Sequence, residues 1–182
     1  MMKHVLGVAA SLLCLAACNR QPEVQLKNAT GNQVAQAVKQ TGVMTSDSFE
    51  PGLWQSKVNI GEINIPGLPA EYASKMKQSI AEHRTSSHCV TPEEVKKPRE
   101  GFFGGDKSCK YQNFTMGGGK IAVQMACTEE GSTQTTSLSG TYTPTTYSMD
   151  MSTAASGGAR QGMSMKMHVD SQRVGECSGK DG

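Results

Sequence analysis

The sequence predicts an α+β fold, mainly an antiparallel β-sheet meander with one amphipathic helix packed on a face and two disulfides. Three observations carry that expectation. Residues 109–169 alternate apolar and polar side chains in short runs separated by Gly, Pro, Ser and Thr, the pattern of half-buried strands joined by turns. A single stretch, 69–84, instead repeats its apolar residues every four positions. Four cysteines, Cys89, Cys109, Cys127 and Cys177, form an even set downstream of an export-type leader.

The leader is residues 1–17. Lys3 is its charged start, and Val5 to Ala17 form a mostly apolar run of signal-peptide length, too short to span a bilayer, which needs about 17 to 25 residues. Leu15-Ala16-Ala17-Cys18 closes it as a lipidation site, so Cys18 is expected to be cleaved free and acylated through a diacylglyceryl thioether and an amide-linked chain such as palmitate. Two or more acyl chains hold a protein stably on a membrane without spanning it. The residue after Cys18 is Asn19 rather than Asp, which by resemblance to sorted lipoproteins points to the periplasmic face of the outer membrane. The full chain carries a net charge of +2, and loss of Lys3 brings it to about +1, which argues against a nucleic-acid partner.

Residues 18–49 are polar and weakly patterned, with at most a short helix around Gln33 to Lys39, and read as a lipidated flexible tether. The domain is expected over 50–182. Pro51-Gly52 precedes a strand over Leu53 to Ile60, in which Trp54, Ser56, Val58 and Ile60 share one face, and a second short strand runs from Glu62 to Ile65 before Pro66-Gly67. Pro69 to Arg84 reads as a helix whose stripe is Tyr72, Met76 and Ile80. Ser87 to Val90 is a further strand. Thr91-Pro92-Glu93-Glu94 is a capping box, in which the threonine oxygen and the glutamate carboxylate each satisfy a free amide at a helix start; Pro98 stops that helix. Phe102-Phe103 lie in a glycine-bounded loop, and strands follow over 109–116, 121–128, 133–142, 146–152 and 162–169.

Four cysteines allow three pairings. Gly117-Gly118-Gly119 lies midway between Cys109 and Cys127. If it turns a hairpin, those two cysteines face each other, with Tyr111 opposite Met125 and Asn113 opposite Val123, and Cys89 joins Cys177 by elimination. The cysteine spacings contain no C-x-x-C and do not match zinc-ligand patterns.

Pro51-Gly52-Leu53-Trp54, Cys89-Val90-Thr91-Pro92-Glu93, the glycine hairpin between Cys109 and Cys127, and the terminal Gly175-Glu176-Cys177 together resemble the exported Gram-negative proteins grouped as domain of unknown function 3617. The resemblance covers about Glu50 to Cys177. It implies a small exported domain and supplies no catalytic residues.

No motif specifies a reaction. Met116-Gly117-Gly118-Gly119-Lys120 lacks the spacing of a phosphate-binding loop and reads as a strand-to-strand turn. His83 and His88 are five apart, which does not align them on one helix face as metal ligands. No G-x-S-x-G elbow marks a nucleophilic serine, so an enzyme is not expected. The unusual constellation is Met149, Met151, Met163, Met165 and Met167, which alternate along two strands and so share one face, with Ser148, Asp150, Ser164, Lys166 and His168 on the other. A loop centred on Gly157 puts Met151 opposite Met163, Met149 opposite Met165 and Tyr147 opposite Met167. The first account of this face is core, packed by the helix bearing Met76 and Ile80. The others are a pocket for an apolar ligand, or a thioether site for Cu(I).

These readings describe an outer-membrane-anchored periplasmic lipoprotein acting as a non-enzymatic binding or envelope-structural module. Its expected partners are the membrane, through the lipid, and an envelope protein or small apolar ligand. No cofactor is assigned. The alternatives are a Cu(I)-binding lipoprotein using the methionine face and a carrier of an apolar ligand.

Overall fold

The computed structural model describes residues 22–45, 48–82, 85–96 and 108–178. The leader, Cys18, His83, Phe102 and Phe103 lie outside the described residues.

Among the described residues eight strands form one antiparallel sheet: β1 (Glu23–Thr30), β2 (Gly52–Asn64), β3 (Thr85–Val90), β4 (Cys109–Gly117), β5 (Lys120–Glu129), β6 (Ser132–Tyr142), β7 (Thr146–Ser156) and β8 (Ser164–Gly175). Their order across the sheet is β1-β4-β5-β6-β7-β8-β2-β3. From β4 to β8 every neighbour in space is the neighbour in sequence, so the predicted meander is present. The helices are α1 (Gly31–Thr41), α2 (Ala70–Glu82) and α3 (Pro92–Lys96).

Residues 23–45, expected to be tether, belong to the domain. β1 pairs along β4, from Glu23 opposite Gly117 to Thr30 opposite Lys110. It then passes directly into α1. Thr30 caps that helix: its Oγ1 accepts from the Gln33 amide at 3.3 Å, and its own amide donates to Gln33 Oε1 at 2.8 Å. Val34 and Val38, four apart, both point into the sheet and are buried. They join Val24, Ala29, Val43, Tyr111, Phe114, Met116, Ile121 and Tyr142 in the main core.

The helix packed on the sheet is therefore α1, not the helix at 69–84. α2 forms nearly where expected, but Tyr72 is 60% exposed, Met76 is half-buried, and the side chain of Ile80 lies outside the described set. A stripe repeating every four residues makes a helix amphipathic without making it a core element.

β2 is continuous where two strands were expected. A bulge between Ile60 and Glu62 absorbs Gly61, so both pieces keep pairing with β8. Trp54, Ser56, Val58 and Ile60 share one face as predicted, with Trp54 and Ser56 buried. A second core gathers Trp54, Val90 and Val95, with Phe49 and Tyr147 packed against it. Val95 comes from α3, which starts at the predicted capping box: the Glu94 amide donates to Thr91 Oγ1 at 3.2 Å, and the Thr91 amide donates to Glu94 Oε2 at 3.0 Å. Between the two cores, Ser56, Ser171 and Tyr147 exchange hydroxyl hydrogen bonds of 2.8 and 3.1 Å, which keeps buried oxygens satisfied.

Both disulfides pair as expected, Cys109 with Cys127 and Cys89 with Cys177. Cys109 stands directly opposite Cys127, and Tyr111 opposite Met125. Beyond that the register departs: a bulge after Tyr111 puts Asn113 opposite Gln124 rather than Val123. No helix among the described residues is long and apolar enough to cross a membrane.

Candidate functional site

The two faces of the sheet differ in chemistry and in shape. Cross-strand pairing carries an apolar row over seven strands, Leu26, Phe114, Val123, Leu138, Met151, Met167 and Ile60. Side chains alternate along each strand, so their neighbours point to the other face. There the rows are Thr115, Ala122, Ser139, Asp150, His168 and Asn59, and next to them Asn113, Gln124, Ser137, Ser152, Lys166 and Glu62.

The methionine face lies on the α1 side. Its register differs from expectation by four residues: Met151 faces Met167, Met149 faces Val169, Thr153 faces Met165, and Tyr147 faces Ser171. The β7–β8 turn is longer than a hairpin centred on Gly157, because a 3₁₀ turn, Gly158–Arg160, is inserted and Gly157, Gly158 and Gly162 all take positive φ. A shift by an even number leaves every side chain on its original face. Met163 stands just before β8, where its carbonyl accepts from the Ala155 amide at 2.8 Å. Met149 packs against the main core, while Met151, Met165 and Met167 are half-buried.

A cavity of about 720 Å³ opens on the opposite, polar face. Its lining takes two residues of the polar face from each of β4 to β8, draws on β2 as well, and includes between them Val123, Leu138, Met151, Met167 and Ile60 of the apolar row, so this face is concave across six strands. From β4 it includes Asn113 and Thr115 but skips Phe114, whose side chain is 1% exposed on the far side. Short side chains, chiefly Ser137, Ser139, Ser152 and Ala122, leave this space open. Asn113 Nδ2 donates to Gln124 Oε1 at 3.2 Å, and Lys166 pairs with Glu62 at 2.9 Å on the rim.

Four polar residues form a square at one end of the cavity. Asp150 stands opposite His168 and Ser148 opposite Asp170. His168 Nδ1 lies 2.8 Å from Asp150 Oδ1, and Nε2 lies 3.1 Å from Asp170 Oδ1. Ser148 Oγ is 3.4 Å from Nε2 but donates to Asp170 Oδ1 at 2.8 Å. Ser148, His168 and Asp150 are the residue types of a hydrolytic triad, here with a second carboxylate, Asp170, beside the ring nitrogen nearest the serine. The nitrogen that would take the serine proton faces a carboxylate, and the hydroxyl hydrogen points at that carboxylate. Carboxylates on both ring nitrogens favour the imidazolium. Among the described residues no group of three or more His, Cys, Asp or Glu is arranged to hold a metal ion.

Hydrogen bonds donated by the ring to Asp150 and then to Asp170 raise the His168 pKa above its ordinary 6.5. Hydrogen bonds from Ser148 and His168 lower the Asp170 pKa below 3.8. The raised histidine stabilises the fold fully below pH 6.5 and loses that contribution as pH rises through its folded value. The depressed aspartate contributes above pH 3.8 and loses it as pH falls through its folded value. Both are present together between these limits, and both are solvent-screened because the square is at the surface. Asp150→Asn is expected to lower the His168 pKa more than Asp170→Asn does. Proton NMR titration of the ring checks this, and equal titration in wild type and Asp150→Asn would exclude the contact.

Ser148, Asp150, Lys166 and His168, which the two-residue repeat puts on the face away from the methionines, are together there. Sequence reasoning misses Asn59, Asn113, Gln124, Ser137 and Ser139, whose alternation in the neighbouring strands is the available signal. His88, exposed on β3, is remote from the square and lies opposite Trp54.

No curated protein and no solved structure matches the chain. The family model described as "Protein of unknown function (DUF3617)" matches residues 49–177, from the approach to β2 through the last disulfide cysteine, and the chain belongs to that family.

Proposed function

We propose that the protein is a lipid-anchored module of the outer membrane's periplasmic face that binds a polar, hydroxyl-rich ligand in the concave face of its sheet and does no chemistry on it. The supporting observation is the cavity of about 720 Å³ in which Asn59, Asn113, Gln124, Ser137, Ser139 and Ser152 supply amide and hydroxyl groups between the apolar residues Val123, Leu138, Met151, Met167 and Ile60. Such groups both donate and accept, which suits the hydroxyls and amides of a saccharide more than an apolar molecule. The non-catalytic reading draws on the occupied Nε2 of His168.

The test is an amide NMR titration with chitotetraose. Shifts are expected around Asn113, Gln124, Ser137, Ser139 and His168, and Ser137→Trp, which fills the floor, is expected to abolish them. Shifts confined to Phe114, Met149 and Met165 on the α1 side, or none with a series of oligosaccharides, would refute the assignment.

A second reading is favoured by one observation. Met151 and Met167 are directly opposed and Met165 follows two residues along, roughly 7 Å away, so three thioethers stand close on one half-buried face. Thioethers favour Cu(I). Under that reading anaerobic Cu(I) raises the melting temperature of the wild type and leaves Met167→Leu unchanged; no shift in the wild type removes the copper reading.

A further inference from the structure

The N-terminal strand sets how close the domain stands to a membrane that holds its lipid. β1 begins at Glu23, and its start is seated on the β4–β5 turn. A Cβ at Gly117, whose φ is +155°, would lie 2.6 Å from the Pro22 carbonyl oxygen and 2.8 Å from Glu23 Cα. Only glycine admits that approach. The chain therefore enters the sheet at the end that carries the 117–120 turn. The 143–146 turn is at the same end: the Tyr142 amide donates to Gly119 O, and the amides of Glu50 and Arg173 donate to Pro144 O and Thr145 O, each at 2.8 Å.

Cys18 precedes Glu23 by five residues, and five residues span at most about 17 Å whatever their conformation. Along β1, Gln25 pairs with Thr115 and Lys27 with Asn113, so the two cavity rows lie roughly 7 and 13 Å beyond Glu23.

We infer that the end of the sheet formed by the 117–120 and 143–146 turns faces the lipid headgroups, and that the five-residue link holds the cavity within about 30 Å of the bilayer, in reach of a membrane-bound ligand. This rests on acylation of Cys18 in the reading above. Charge does not set the orientation: the near end presents Lys120 with Glu23, and at the opposite end Glu129 and Glu130 stand beside Gly131 with Arg160 3.9 Å from Glu129. At the near end Glu50 and Glu176 are both partnered by Arg173. With no cationic surplus, the hold comes from the acyl chains and the short link, so release by salt is not expected.

The test uses the full-length protein purified from its own membranes, with its mass checked intact, in phosphatidylcholine vesicles with and without phosphatidylglycerol. A fluorescent non-natural residue is placed at exposed Thr145 or at exposed Glu130, with an energy acceptor on the headgroups. The expected result is severalfold stronger transfer from Thr145, since the ends of a ten-residue strand such as β5 are roughly 30 Å apart. Inserting about twenty Gly and Ser residues between Gln21 and Pro22 is expected to weaken that transfer. On an acylated protein, equal transfer from both positions or stronger transfer from Glu130 overturns the orientation alone. An insertion without effect overturns the role of the link. An intact mass without acyl chains overturns the anchoring and this inference together.

Discussion

A chain from which residues 23–45 have been deleted is expected to lose its cooperative thermal transition. The family match begins at residue 49, yet in this chain the preceding segment supplies an edge strand and the helix that closes the main core. Val24, Val34, Val38 and Val43 are each at most 3% exposed. Burial of a valine stabilises by about 1.5 to 3 kcal/mol, so the four contribute roughly 6 to 12, an upper estimate because unfolded chains already bury some surface. Whole domains have about 5 to 15 kcal/mol of net stability. The deletion also uncovers Phe114 and Met116 and frees the hydrogen-bonding edge of β4, which invites association with other chains. Circular dichroism melts and size-exclusion chromatography measure both effects. A monomeric product with a sharp transition near the wild-type temperature would show that the segment only decorates the sheet.

Trp54→Ala is expected to lower stability by about 3 to 5 kcal/mol, the range for removing a large aromatic from a core. Trp54 is completely buried; Phe49 stacks on it at 4.1 Å between ring centroids, and Tyr147 lies at 5.8 Å. Its indole nitrogen donates to the Glu50 carbonyl at 3.0 Å, which ties the segment before β2 to the core. Trp54→Phe fills most of the space but leaves that carbonyl without its partner, at a cost of about 1 to 3 kcal/mol if it stays buried. Urea melts followed by circular dichroism compare the three proteins, because Trp54 is the single tryptophan and fluorescence disappears with it. An Ala variant with the wild-type midpoint would mean that the smaller core contributes nothing to folding.

The features legible in the sequence are those set by short stretches of chain. The hairpin around Gly117-Gly118-Gly119 brings Cys109 to Cys127 because the two cysteines lie equally far from the middle glycine in sequence, and the meander follows from turns between adjacent strands. The capping box at Thr91 is complete within four residues. The division of Met149, Met151, Met165 and Met167 from Ser148, Asp150, Lys166 and His168 depends only on the two-residue repeat, which survives the four-residue error in register.

Tertiary structure decided what depended on distant partners. β1 has its ladder with β4, about eighty to ninety residues on, and Asn28 at φ 52° interrupts its own alternation, so no local pattern distinguished it from a tether. α1 displaced α2 as the packed helix because Val34 and Val38 meet Phe114 across that pairing, whereas Tyr72 of α2 faces solvent. The β7–β8 register turned on which of several glycines bends the chain, and only the ladder with β2 on the other side of β8 selects one answer. The cavity is the clearest case. Its Asn, Gln and Ser side chains come from separate strands, and they face one space because the whole sheet curves, a property of eight twisted strands that no single segment encodes.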